Sequence, residues 1–363
     1  MTTTPKIRVV CWETGSAVAL APVMQSLHDR RFEIVVTALD PGLSILRKRC
    51  DSFCSFEDGF PTERDECVVL TGVGAPGHKT GWALLTEAGC GFPVICLLDH
   101  GKGLERFLTK SNRPVTNGMP DQILVPDSAI VDELVAKGMS SSCFKVTGSP
   151  VLAEAVSRGA PDISKRQAIR ERLEISPTAY VVLIASEGVH DEHSLHSDCG
   201  EGCTTLEHAM VGDRPLLETL RDEIISEGVP EPMFLLRPHP TQTANHVPGS
   251  RVVAWSDADE LEILSVSDRV YGVSSMLLMI AAVLGLDTRS VAERLDAWSP
   301  ASAYMTPNVW RELSKSGIFG DCPITIETRT RHTQAIDSAA EAVEGFLAGI
   351  QQTDPARANE RWL

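Results

Sequence analysis

The run IRVVCWETGSAVALAPVMQSLHDRRFEIVVTA, residues 7–38, reads as one strand–helix–strand unit and decides the fold class. Ile7–Cys11 is a short apolar run that breaks at Glu13-Thr14-Gly15. Apolar residues then recur at helical spacing over Ala17–His28, and a second strand pattern covers Phe32–Ala38 before the turn Asp40-Pro41-Gly42. Strands of this length separated by helices build parallel sheets, because a parallel pair needs a long crossover and a helix supplies it.

The pattern continues outward. Cys67–Leu70 reads as a strand, followed by a glycine-rich turn and a helix over Thr80–Ala88. Pro93–Leu98, Ile123–Val125 and Phe144–Val146 read as further strands, with a helix over Ser128–Lys137. From Pro150 to Pro177 a charged helical stretch, KRQAIRERLEI, replaces the buried-strand pattern. A second series then begins, with strands at Tyr180–Ala185, Phe234–Leu236, Val252–Ala254 and Arg269–Tyr271. Its helices fall at Pro215–Glu227, Asp259–Ser265 and Met276–Leu284, and the last helix covers Gln334–Ile350. The expectation is an α/β protein of two Rossmann-like domains facing each other across a cleft. The first spans 1–152, a helical connector 153–176, the second domain 177–333, and a C-terminal helix and tail 334–363.

Composition narrows the function classes. The chain has 363 residues, and 33 Lys and Arg stand against 49 Asp and Glu, for a net charge of −16. Such a chain is a poor track for nucleic acid, which is held by neutralising phosphates. A small anion remains admissible, because helix N-termini and a few cations suffice to bind one. No apolar run reaches the roughly 18 residues of a membrane span, and the start lacks the long apolar stretch of a signal peptide. The ten cysteines are scattered, which fits buried thiols in a reducing compartment. The expectation is a cytoplasmic protein.

Two loops carry the chemistry of the second domain. Arg237-Pro238-His239-Pro240 follows a strand, where ligands of open α/β sheets sit. The prolines fix the backbone around an imidazole able to donate to a phosphate. Gly272-Val273-Ser274-Ser275 follows the next strand but one and opens an apolar helix, offering small residues, hydroxyls and first-turn N–H groups.

Together these loops resemble those of GT-B-type glycosyltransferases and nucleotide-sugar 2-epimerases, with closest likeness to bacterial surface-polysaccharide enzymes of the sialyltransferase-like and glycerophosphotransferase-like kinds. Val146-Thr147-Gly148-Ser149-Pro150 resembles the element that closes the first domain in these proteins. Leu97-Leu98-Asp99-His100 with Glu105-Arg106-Phe107 resembles another first-domain element. The resemblance implies a nucleotide-activated donor held by His239, Pro240, Gly272, Ser274, Ser275 and Glu187, with Arg237 supporting the loop. It implies transfer to an acceptor hydroxyl, or epimerisation of the nucleotide sugar, with no cofactor required. Partners are then the nucleotide sugar and the acceptor, and a homodimer is an admissible assembly. Where many GT-B enzymes carry a ribose-binding Glu, this chain has Ile280, which keeps a non-catalytic binding protein among the alternatives.

Proton transfer needs a base. Glu13, Asp99 and His100 stand at strand ends of the first domain and are the candidates. Thr14, Gly15, Gly74, His78, Lys79 and Ser149 are read as loops lining the cleft. The loop after Glu187 holds His190, His193, His196, Cys199 and Cys203, with His208 beyond. It reads as a polar active-site loop, with zinc as the alternative, although the spacing matches no zinc module. Gly72-Val73-Gly74-Ala75-Pro76-Gly77 is formally a dinucleotide fingerprint with Asp99 downstream. It follows the third strand of its series rather than the first, so an NAD(P)-dependent oxidoreductase is the alternative of another class.

Overall fold

The computed structural model describes residues 5–58, 67–73, 93–98, 119–159, 163–186, 188–189, 204–238, 247–254, 256–273, 275–291 and 333–352. By its contacts the chain divides into two units, one of residues 1–154 with 330–363 and the other of residues 155–329.

Among the described residues of the first unit, the strands are β1 (Lys6–Cys11), β2 (Glu33–Ala38), β3 (Ser55–Phe56), β4 (Cys67–Gly72), β5 (Val94–Leu97), β6 (Gln122–Val125) and β7 (Phe144–Val146). The helices are α1 (Thr14–Asp29), α2 (Gly42–Cys50), α3 (Ser128–Ala136) and α4 (Pro150–Arg158), the last running into the second unit. The strands pair in the order β3-β2-β1-β4-β5-β6-β7, all parallel. Chain order reverses between β1 and β4, which is the doubly wound arrangement. The core is aliphatic, with Val10, Val69, Val94, Cys96, Ile123 and Val125 of the sheet packed against Ile130 and Leu134 of α3.

The unit contains two local solutions worth following. Pro22 lies inside α1 and has no N–H to give the carbonyl of Val18 one turn back. Arg49 of α2 supplies the missing donor, its Nη1 lying 3.3 Å from Val18 O, while its other terminal nitrogen pairs with Glu154. At the opposite end of α1, Gly72 closes β4 where a Cβ would stand only 2.3 Å from Ser16 Cβ. That glycine lets the helix sit on the strand, and Ser16 Oγ donates to Val73 O at 3.0 Å.

In the second unit, α5 (Ile163–Arg172) leads into β8 (Tyr180–Ala185). Two short antiparallel pairs follow, β9 (Gly188–Val189) with β10 (Thr204–Thr205) and β11 (Met210–Val211) with β12 (Arg214–Pro215). Then come α6 (Leu216–Ser226), β13 (Pro232–Arg237), β14 (Ser250–Val252), α7 (Glu260–Val266), β15 (Arg269–Gly272), α8 (Met276–Val283) and β16 (Asp287–Ser290). The parallel sheet has the order β14-β13-β8-β15-β16, again reversing beside its first strand. Val182, Ile184, Phe234, Leu236 and Tyr271 of the sheet pack with Leu216, Leu220 and Ile224 of α6.

The charged stretch expected as a connector folds into this second unit. Arg170 of α5 is buried and donates to the carbonyls of Ser176, Pro177, Ala179 and Val266 and to Asp268. Asp268 in turn accepts Arg166 and the N–H of Val181. The final helix, α9 (Ala335–Gln352), returns to the first unit and lies on α1. Its small residues Ala335, Ala339 and Ala340 are buried with Val343, and Arg30 reaches Asp337, Glu341 and Glu344.

Candidate functional site

Each sheet reverses its strand order once, and the crevice above such a reversal is where open α/β sheets take ligands. In the second unit the reversal lies between β8 and β15, with β13 on the other side of β8. Register fixes how the strand ends line up, with Arg237 opposite Ala185 and Tyr271 opposite Ile184. With strands about 4.8 Å apart, the ends of β13 and β15 stand about 10 Å apart on either side of β8. The loop carrying His239, the turn carrying Glu187 and the turn carrying Ser274 and Ser275 all leave from these three ends. His239, Pro240, Glu187 and Ser274 themselves lie outside the described residues.

The described part of the site is built tightly. Gly272 ends β15, its carbonyl accepting the N–H of Val291 at 2.9 Å, and Ser290 Oγ donates to Val273 O at 2.8 Å. Ser275 then caps α8, its hydroxyl accepting the N–H of Leu278 at 3.3 Å. The serine therefore serves the helix start, as N-cap serines do, and aims the first turn of α8 outward from the sheet end. Ile280 is 4% exposed on the buried side of α8. An apolar residue there meets a packing demand of the sheet beneath.

Arg237, expected at the nucleotide as loop support, is tied to main-chain carbonyls. It is the last residue of β13 rather than part of the loop, and only 1% exposed. Its terminal nitrogens donate to the carbonyls of Ala254 at 2.7 Å, Ala258 at 2.6 Å and Val253 at 3.3 Å. Burial pulls this guanidinium down to about 10, against the raising effect of Glu260, Asp259 and Asp257. It is still charged at neutral pH, and each of these bonds is charge-assisted. The main chain at this point is also claimed, Arg237 O accepting the N–H of Ser186 at 2.9 Å. Thus one buried side chain fastens the end of β13 to the β14–α7 connection.

In the first unit the reversal lies between β1 and β4. Glu13 is the N-cap of α1, yet its carboxylate makes no capping bond, and the first turn holds no acidic residue. The helix ladder begins with Ala17 N–H to Glu13 O at 2.9 Å, so the N–H groups of Thr14, Gly15 and Ser16 precede it. Thr14 is half-buried and Gly15 exposed. Ser149, expected on a cleft loop, is instead fully buried at the start of α4, with its carbonyl accepting the N–H of Ala153. Gly72, the first glycine of the formal dinucleotide fingerprint, is accounted for by its contact with Ser16. Asp99, His100, Gly74, His78, Lys79 and the cluster His190, His193, His196, Cys199 and Cys203 lie outside the described residues. Among the described residues, no group of three or more His, Cys, Asp or Glu side chains is arranged to hold a metal ion, and no helix is long and apolar enough to cross a membrane.

A hollow of about 400 Å³ on the flank of the first unit is lined by Pro22, Asp29, Arg49, Phe53, Glu154 and Asp337 among others. Its lining comes mainly from helices; Arg49 pairs with Glu154, Asp337 with Arg30, and Asp29 accepts from Gln25.

No protein-family model and no curated protein matches the chain. Solved structures do. A UDP-GlcNAc 2-epimerase from Neisseria meningitidis bound to UDP-GlcNAc is 14% identical with a TM-score of 0.56, over 94% of this chain and all of that one (100%). A glycosyltransferase from Rickettsia africae is 10% identical with a TM-score of 0.57, over 97% and 100% of the two chains. A UDP-GlcNAc 2-epimerase from Methanocaldococcus jannaschii in complex with UDP-GlcNAc and UDP is 10% identical with a TM-score of 0.54, over 94% and 99%. These likenesses run the length of both partners, and the chain has their fold: two Rossmann-like units of the GT-B type, as the loops in the sequence implied.

Proposed function

We propose that the protein is a nucleotide-sugar-processing enzyme whose second unit holds the nucleoside diphosphate. The observation that carries this reading is the convergence of the ends of β13, β8 and β15 at one sheet reversal. On this reading the His239 loop, the Glu187 turn and the Ser274-Ser275 turn, which follow those strand ends in the sequence, would meet at a single crevice. His239, the hydroxyl of Ser274 and the first turn of α8 would present donors to the diphosphate, whose charge also favours a helix N-terminus. Gly272 permits close backbone approach, and Arg237 orients the loop from beneath.

Between the two chemistries, epimerisation is the better supported. Several of the solved structures similar to this chain are UDP-GlcNAc 2-epimerases. Inverting a sugar carbon requires one group to remove a hydrogen and another to return one on the opposite face. Glu13, free of capping duty at the end of β1, is proposed for one of these parts, with Asp99 and His100 as the other candidates. The likeness to the Rickettsia glycosyltransferase favours the second reading, transfer of the sugar to an acceptor hydroxyl, in which the same carboxylate would serve as base. No cofactor beyond the nucleotide-activated substrate is proposed for either.

The test has two stages. Thermal melts with UDP and UDP-GlcNAc should show a ligand-dependent rise that is lost in His239→Ala, because only the folded state binds. Incubation of the protein with UDP-GlcNAc alone, followed by NMR, should then show the C2 epimer. Release of UDP only when an acceptor alcohol is added would instead select the transferase. A melt that responds to no nucleoside mono- or diphosphate would overturn the nucleotide reading itself.

A further inference from the structure

The end of α2 brings together two thiols that the functional reading does not use. Cys50 closes the helix and is 1% exposed, whereas Cys54 is half-buried and flanked by exposed Ser52 and Ser55. The N–H groups of Phe53 and Cys54 both reach Cys50 O at 3.1 Å, so one turn of chain separates the two cysteines. Residues so placed have Cα atoms about 6 Å apart, inside the window a disulfide spans. Residues four apart on a helical turn share a face, so the two thiols lie side by side and each shifts the other's protonation.

We propose that Cys50 and Cys54 form a reversible disulfide by exchange with a low-molecular-weight disulfide such as oxidised glutathione. The sulfur of Cys54, the less buried of the two residues, attacks one sulfur of the oxidant; that S–S bond breaks, and one thiol departs with the Cys54 proton. The Cys50 sulfur then attacks Cys54, the mixed disulfide breaks, and the second thiol departs with the Cys50 proton. Two protein thiols are oxidised and one small disulfide is reduced to two thiols. The second step is the favoured one. Once Cys54 is in the mixed disulfide it has no S–H to donate, and the advantage of this step is proximity: the Cys50 sulfur lies one helical turn from its target, with the Arg49 guanidinium nearby to favour its thiolate against burial and Glu154. Thiolate is the attacking form. The hydrogen bond to Cys50, together with burial, pushes the Cys54 thiol up, so the first step sets the rate and the mixed disulfide does not accumulate. The bond would fasten the end of α2 to the approach of β3, the edge strand of the first sheet.

Trypsin releases both residues in one peptide, 50–64, which contains no other cysteine. Full-length protein is held in glutathione buffers of graded oxidation, alkylated and mapped by mass spectrometry. The expected result is a peptide 50–64 that has lost two hydrogen atoms, takes no alkyl group, and regains both sites after dithiothreitol. In Cys50→Ser the same peptide should carry one glutathionyl group on Cys54, and in Cys54→Ser the buried Cys50 should carry none. Cys143, half-buried elsewhere in the unit, reports in the same digest that the oxidant acted. A wild-type peptide with both cysteines alkylated while Cys143 is glutathionylated would overturn the proposal. So would a stable glutathione adduct without the internal bond. Because the wild-type map decides alone, a variant that fails to fold does not rescue the idea.

Discussion

Replacing Arg237 by methionine separates loop support from ligand contact. Methionine keeps the apolar stem and deletes the head that donates to the carbonyls of Val253, Ala254 and Ala258. Those acceptors become buried without their donor, and each such loss costs on the order of 1–3 kcal/mol, offset in part by no longer burying a charge. The net expected cost is about 3–5 kcal/mol. For a unit of this size one kcal/mol moves the melting midpoint by about 2–4 °C, so the second unit should melt on the order of 10 °C lower. Calorimetry reads that directly. Arg237→Lys, which reaches fewer carbonyls, should fall between the two. Below its own midpoint the lysine variant should still respond to UDP if the head serves only the carbonyls it bonds, while His239→Ala should not respond. A methionine variant melting within about 1 °C of the parent would refute the staple. A lysine variant with a normal melt and no UDP response would show that Arg237 touches the nucleotide after all.

Three further predictions rest on equally local geometry. Arg49→Met should cost about 1–3 kcal/mol by stranding the Val18 carbonyl, and clearly less in a Pro22→Ala background, where residue 22 regains its N–H. Chemical denaturation of the four-member cycle measures the coupling, and strict additivity would dismiss the link. Gly72→Ala should destabilise the first unit by about 1–3 kcal/mol or more through overpacking against Ser16, with Ser16→Gly recovering part of the loss; a neutral Gly72→Ala would contradict the close approach. Asp259 caps α7 through the N–H of Glu262 and is met by Arg158 at 2.9 Å. Burial would raise its carboxyl, but those partners outweigh it and hold it below its ordinary 3.8. A depressed carboxylate contributes stability that is present above the unfolded value and is lost as pH falls through the folded one. Asp259→Ala should therefore cost about 1 kcal/mol at pH 7, with the gap to the parent closing below about pH 4. A gap that persists in acid would refute that account.

What the sequence made legible follows from how each element is stabilised. β1, β2, β8, β13 and β15 are apolar runs because both faces of a parallel sheet are covered, and they stand out. β16 reads DTRS and was invisible to that criterion. It is held by charge, since Asp287 accepts Arg269, and Arg289 pairs with Glu223 and Glu227. α2, with LRKRC in its second half, carries no clear helical period in the sequence. Its buried face is only Gly42, Leu46 and Cys50, too few positions for a period to register. At the candidate site, the small-residue turn after β15 signals close backbone approach from sequence alone. The resemblance already implies that Arg237 supports the loop, but not how, because an arginine beside Pro238 reads as part of the loop itself. Only the carbonyls converging from 16 to 21 residues away reveal it as an anchor. Ser149 is ambiguous in the sequence for a related reason: a serine after a glycine suits a loop and a helix start equally well, and the structure sets it, buried, at the start of α4.

The return of α9 to α1 has a consequence for how the protein is made. The first unit is threaded through both ends of the chain, with the second inserted between residues 154 and 330. On the ribosome the second unit can be complete while the first still lacks the helix that covers α1. Until residues 335–352 emerge, the face of α1 that α9 later covers stays open to water or to chaperones, and Arg30 waits for its three carboxylates. The half of the protein synthesised first is therefore the half finished last.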